Sequence, residues 1–198
     1  MEHKQLTREK IFELTRFLGR TVGSTFGPAY SEEQIVFGAQ MPGYGARSIP
    51  ESVVKRWISF MKNGGMKRVC CLLPPSQLGY YMVDLLGIYQ REFGDTCVLG
   101  APIEDYHLCS ATMLRQILLF LTESDLEDEP VVVHCAGGRG RTGFVHTAWL
   151  VHWRGFSVEQ ALEAVKKMGR NSFEAVEHGN ASTDELYALL QSCERKGS

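Results

Sequence analysis

The chain has 198 residues, of which 44% are hydrophobic and 22% charged, and its formal net charge is −2. That is enough chain for one well-buried α/β domain of ordinary globular composition. It carries no global basic field to recruit nucleic acid, no apolar run of the ~20 residues that span a bilayer, and no apolar core near Met1 of the kind a secretory signal needs.

In chain order, Leu6, Ile11, Leu14, Phe17 and Leu18 recur at helical spacing. They predict an amphipathic helix over 7 to 19, inside an N-terminal helical extension over residues 1 to 30. Val36 to Ala39 reads as a short strand. Ser48-Ile49-Pro50-Glu51 starts a helix with proline in its first turn, and Gly64-Gly65 stops it. Val53, Val54, Trp57, Ile58 and Met61 mark its apolar side. Arg68 to Leu73 is a buried strand closed by Pro74-Pro75. A helix from Tyr80 to Glu92, a strand from Thr96 to Leu99, a helix from Leu108 to Thr122 and an acidic loop from Leu126 to Pro130 follow. Val131 to His134 lacks polar alternation, which predicts a central strand buried on both faces. Helices come next at Thr142 to Arg154 and Val158 to Met168, the second opened by a Ser157–Gln160 capping box. A last helix from Thr183 to Glu194 lies in a C-terminal helical segment over 170 to 198. Strands separated by helices predict an α/β fold: a central, mostly parallel sheet of about four to five strands flanked by helices. No repeat or linker divides the chain, so a single domain is expected.

The chemistry concentrates in one stretch, His134-Cys135-Ala136-Gly137-Gly138-Arg139-Gly140-Arg141-Thr142-Gly143. A β-branched run ends in a thiol, and a glycine-rich loop leads into a helix. Backbone N–H groups, a helix N-terminus and a nearby arginine each favour the thiolate over the weakly nucleophilic thiol. The same N–H groups, from Ala136 to Arg141, point at the oxygens of a bound phosphoryl group. Arg141 can hold two of those oxygens through its planar fork, which lysine cannot. Thr142 can donate to the Cys135 sulfur and ease its departure. The run is neither a nucleotide P-loop, since Gly-Lys-Ser/Thr is absent, nor a dinucleotide fingerprint. Read only as structure, Cys135 is an inert core thiol after a buried strand.

This loop resembles the signature of the cysteine-dependent protein tyrosine phosphatase superfamily, and its fuller string is most similar to the small dual-specificity branch. The likeness runs from roughly Phe37 to Gly169 and is specific for the superfamily but not for substrate. It implies Cys135 as nucleophile, Arg141 as phosphate binder, Thr142 as the hydroxyl assisting the leaving thiolate, and an orienting role for His134 with its ring bonded to nearby backbone. It implies no metal and no organic cofactor.

An acid must protonate the departing oxygen. Asp105, in Leu99-Gly100-Ala101-Pro102-Ile103-Glu104-Asp105-Tyr106-His107, leaves a strand and reaches the edge of the sheet where Cys135 lies. The family carries its acid on such a loop. Glu104 is the neighbouring alternative, with Asp84 and His107 behind it, and a helix-capping carboxylate is the structural reading of Asp105. His107, His146, His152 and His178 lack metal-ligand spacing. Arg139 adds positive charge at the pocket mouth, or else pairs with a carboxylate. Many small relatives have Arg-Pro and then a water-positioning glutamine after the penultimate helix. Here Arg170-Asn171-Ser172-Phe173-Glu174-Ala175-Val176-Glu177 has no glutamine, which leaves that task to Glu174, to Glu177 or to Asp105 alone. No long segment precedes the sheet with a loop that grips phosphotyrosine, so a shallow pocket is expected.

The six cysteines show no metal-ligand pattern and suit a reducing cytoplasm. The expected activity is phosphate-monoester hydrolysis through a cysteinyl-phosphate, on phosphotyrosine and phosphoserine/threonine proteins first, then phosphoinositides or other small phosphate esters, then RNA 5′ ends. The missing basic-aromatic stripe weighs against nucleic acid. Two other classes stand beside it: a pseudophosphatase that binds without turnover, and a reductase or arsenate-type enzyme using Cys70, Cys71 or Cys109 to resolve Cys135.

Overall fold

The structure, a computed structural model, describes residues 25–194. The helix expected over 7 to 19 lies outside them. Five strands form one sheet in the order β1-β2-β5-β3-β4: β1 (Gly27–Pro28), β2 (Val36–Gln40), β3 (Arg68–Cys71), β4 (Val98–Gly100) and β5 (Val131–Cys135). All pairings are parallel except β1 with β2. β5 lies in the middle, with Gln40 of β2 beside Cys135 on one side and Cys71 of β3 beside His134 on the other. Every residue of β5 is buried, as its unbroken apolar run requires.

The two-residue period of β5 divides its side chains between two cores. Val131, Val133 and Cys135 join a cluster with Leu114, Ile117 and Leu121 of α4 (Ala111–Leu126) and Val145 and Trp149 of α5 (Gly140–Trp153). Val132 faces the other cluster, with Val54, Trp57 and Met61 of α1 (Glu51–Asn63) and Ile88 and Tyr89 of α3 (Leu85–Phe93). The remaining helices are α2 (Pro75–Leu78), α6 (Val158–Lys167), α7 (Glu174–Glu177) and α8 (Thr183–Gln191). None of the described helices is long and apolar enough to cross a membrane.

Several boundaries differ from expectation, each for a local reason. The helix expected from Tyr80 begins only at Leu85, because Asp84 caps it by accepting the Gly87 N–H at 3.0 Å. Tyr80 and Met82 instead pair with Ile49, through Ile49 N–H to the Tyr80 carbonyl at 2.8 Å and Met82 N–H to the Ile49 carbonyl at 2.9 Å. Pro74-Pro75 does more than close β3: Pro75 opens the short α2, where its missing N–H costs nothing. Asp95–Cys97 is a 3₁₀ turn, and β4 starts one residue after it, at Val98. α4 starts after Ser110, which caps the Met113 N–H at 3.2 Å, and runs through Leu126 into the loop expected to be acidic and irregular. β1 falls within the expected N-terminal helical extension and makes the sheet mixed. As an edge strand it tolerates Pro28.

Candidate active site

At the C-terminal edge of the sheet, β5 ends at Cys135 and α5 begins at Gly140, so the chain reverses over Ala136 to Arg139. Gly138 has φ +68°, and a Cβ there would lie 2.5 Å from the backbone of Ala39. Only glycine fits that close turn. A Cβ on Gly140 would run into the Glu174 carboxylate, so that glycine lets a second acidic group approach the loop. Thr142 is fully buried and donates to Cys135 Sγ at 3.2 Å.

The loop is also held from behind. Arg170 is buried, with Nη1 donating to the Gly138 carbonyl at 2.5 Å and Nη2 to the Gly27 carbonyl at 2.9 Å. Burial lowers its pKa to about 10, against the opposing pull of Cys135. It therefore remains a cation at neutral pH and favours a negative sulfur. The sequence marks Arg170 only through its place in a family pattern, and its partners are more than thirty residues distant or further.

Arg141 is 3% exposed. Its Nη1 donates to the Gln77 side-chain oxygen and to the Ile103 carbonyl, both at 2.9 Å. Its Nη2 pairs with Asp105 Oδ1 at 2.8 Å. Its Nε is buried with no hydrogen-bond partner among the described residues. One corner of the guanidinium is thus tied to the scaffold, while the Nε–Nη2 edge can take two oxygens of a ligand if Asp105 yields. Asp105 has a second hold, since its Oδ2 accepts from Gln77 Nε2 at 3.0 Å. Gln77, on α2, therefore links the arginine to the carboxylate. A polar side chain just after Pro74-Pro75 at a strand's C-terminal end was the available signal, but nothing in the sequence places it beside Arg141.

The other candidates separate cleanly. Glu104 is exposed, whereas Asp105 faces Arg141. Asp84 is occupied as the cap of α3. His107 is exposed and bonds the Asp105 carbonyl through Nδ1 at 2.7 Å. His134 is fully buried; its ring has the Cys135 backbone as a partner, as expected, and its Nε2 also meets the Tyr89 hydroxyl at 3.2 Å. The Trp57 and Tyr89 rings meet it edge-on, and burial together with the Arg141 charge pushes its pKa down to about 3. It is a neutral wedge under the loop. His146 is buried on α5, and burial and then Arg170 hold its pKa well below the usual imidazole value. His152 bonds the Cys193 carbonyl at 3.0 Å.

Of the two glutamates, Glu177 is turned to Asn171 Nδ2 at 2.7 Å. Glu174 is half-buried against Gly140, and burial first, then Asp105, raise its pKa against Arg141, His178 and Arg139. Arg139 is exposed at the rim, beside a cleft of about 580 Å³ that Lys166, Asn171 and Phe173 also line. Across the loop, the exposed Tyr44 ring comes within 3.5–3.7 Å of where a Gly137 Cβ would stand. Among the described residues no three of His, Cys, Asp or Glu are grouped as metal ligands.

Residues 61–155 match a family model described as Tc-R-P, polymorphic toxin system, DSP-PTPase phosphatase. The active form of Tk-PTP is 24% identical, with a TM-score of 0.61 over 87% of this chain and 98% of that one. Kinase associated phosphatase, with its catalytic-site cysteine replaced by serine, is 21% identical, with a TM-score of 0.62 over 81% and 85% of the two chains. PTPMT1 in complex with PI(5)P is 13% identical, with a TM-score of 0.60 over 85% and 96%. A comparison with curated proteins finds no match.

Proposed function

We propose that the chain is a member of the cysteine-dependent protein tyrosine phosphatase superfamily, a reading supported by the family model over residues 61–155 and by the shared fold, and that it hydrolyses phosphate monoesters through a cysteinyl-phosphate, with phosphotyrosine and phosphoserine/threonine proteins as substrates. The observation that carries this reading is the state of Arg141 among the described residues: Nη1 bonded to Gln77 and Ile103, Nε without a partner, and Nη2 paired with Asp105. A phosphoryl dianion seated on the loop amides takes the Nε–Nη2 edge and releases Asp105 Oδ1, while Gln77 keeps hold of Oδ2. The Cys135 thiolate then attacks phosphorus in line. Asp105, having taken up a proton from solvent once the dianion has displaced it from Arg141, gives that proton to the departing oxygen as the S–P bond forms and the ester P–O bond breaks.

In the second displacement water attacks the phosphorus, Asp105 takes a proton from it, and the S–P bond breaks. The Thr142 hydroxyl stabilises the returning thiolate. Glu174, next to Gly140, stands where it can orient that water, the task for which relatives use glutamine. Tyr44 stands beside Gly137 as an exposed aromatic ring, 57% accessible, which favours an aryl phosphate. The exposed Arg139 favours the second reading, a phosphoinositide or another multiply charged ester, and PTPMT1 is a structural neighbour with such a ligand. A reductase is disfavoured because burial pushes Cys71 and Cys109 up to about 12, and Cys70 higher still. Such thiols do not ionise readily to resolve a partner. Six free thiols suit a reducing, cytoplasmic setting.

The test is phosphate release from an aryl phosphate under multiple turnover, with and without chelator, followed by acid quench to trap labelled enzyme. Turnover with a label on Cys135 supports the reading. Stoichiometric binding without release would make the protein a pseudophosphatase.

A further inference from the structure

The residue after Asp105 makes two contacts that no chemical step uses. Tyr106 has φ +60°, in the left-handed region that side-chain-bearing residues rarely adopt. Its ring stacks on the His178 imidazole, with centroids 3.9 Å and planes 27° apart. Its carbonyl accepts from Asn180 Nδ2 at 3.0 Å. Both partners belong to the turn that leaves α7, which is itself pinned by the Asn180 N–H to the Ala175 carbonyl at 3.0 Å. Tyr106, His178 and Asn180 are all exposed, so core burial does not explain the contact.

Substrate binding gives the contact its consequence. Before substrate arrives, Asp105 is held inward by Arg141 Nη2 and by Gln77. A phosphoryl group that takes Nη2 removes the stronger of these, at the moment when the carboxyl must stay over the leaving oxygen. The stack and the amide bond are exposed and involve neither Arg141 nor Gln77, so a phosphoryl group that displaces Asp105 from Arg141 leaves them intact. They also resist relaxation of Tyr106 to an ordinary φ, which would turn the peptide that carries Asp105.

We propose that His178 and Asn180 are positioning residues that latch Tyr106 and so keep Asp105 over the phosphate once Arg141 has released it. This rests on Asp105 being the acid. The test uses the full chain and a series of aryl phosphates from good to poor leaving groups. His178→Ala and Asn180→Ala should lower turnover of the poorest leaving groups about 10- to 100-fold, the scale on which misplacement costs rate, and spare the best ones. His178→Phe, which keeps a flat ring, should restore the wild-type dependence. Combining His178→Ala with Asp105→Asn should add no further steepening. If His178→Ala leaves the dependence unchanged while Asp105→Asn steepens it, the latch is wrong and the acid stands. If Asp105→Asn itself leaves the dependence unchanged, the acid assignment fails and the latch falls with it.

Discussion

Cys135 and Asp105, the proposed nucleophile and acid, rest on supports that share almost no construction. Cys135 ends the central strand, 2% exposed, with Thr142 and Arg170 buried around its loop. Asp105 rides a surface loop, its side chain 38% exposed, and is held by Arg141, Gln77 and the contacts of its neighbours. Core packing and backbone geometry fix the first half. The second depends on side-chain contacts that can be exchanged one at a time. Groups in the buried half can therefore be altered chemically without moving, whereas the acid half can be moved without unfolding anything. On the proposed reading this suits both roles: a nucleophile must not drift, and an acid has to yield Arg141 to each incoming phosphate.

The largest effect that sharpens this contrast is at Cys135. Cys135→Ser should reduce phosphate release to background and leave thermal stability and phosphate binding near wild type, since the loop amides are untouched and a serine hydroxyl without a base is a poor nucleophile. Turnover close to wild type in that variant would sink the covalent mechanism. Arg141→Lys should come next, losing ~2–4 kcal/mol of transition-state stabilisation, because a point charge cannot hold two equatorial oxygens. The loss should appear in kcat. A change confined to KM would contradict the role.

On the acid side, Asp105→Asn should slow poor leaving groups by about 100-fold, spare good ones in the first step, and abolish the basic limb of the pH–rate profile. Glu104→Gln, altering an exposed side chain, should change little. The reverse pattern would move the acid by one residue. The smallest effect concerns the buried half alone. His134 falls from its ordinary 6.5 to about 3 in the folded chain, and His146 is also lowered, both chiefly by burial. Below pH ~6.5 the unfolded chain binds protons that the folded one refuses, so stability is complete above that pH and is lost as pH falls toward 3. Urea midpoints should drop between pH 7 and pH 5. His134→Gln should flatten that slope, and an unchanged slope would show that the ring does not carry it.

The period-2 and period-3.6 patterns place β2, β3, β5, α1 and α6 within a residue or two, because each element's burial is written in its own spacing. Where the expectation failed, at Tyr80 to Asp84, a distant residue intervened: Ile49 pairs with Tyr80 and Met82 and keeps that stretch extended. Locally encoded caps such as Ser157 with Gln160 were legible, and long-range pairing was not.

The same division runs through the site. From His134 to Thr142 the functional groups are contiguous, so spacing along a strand, a turn and a helix is enough to bring a thiol, a ring of amides and a guanidinium together. By itself the sequence therefore determined the loop, its family likeness and the class of chemistry that likeness implies. That Gln77 ties Arg141 to Asp105, that Arg170 holds the loop from behind, that Glu174 rather than Glu177 faces Gly140, and that Tyr44 lies beside Gly137 were decided only by the tertiary structure. Each of these joins residues between 28 and more than 90 positions apart. The sheet order that brings such segments to one edge depends on how whole faces pack, which no local pattern records.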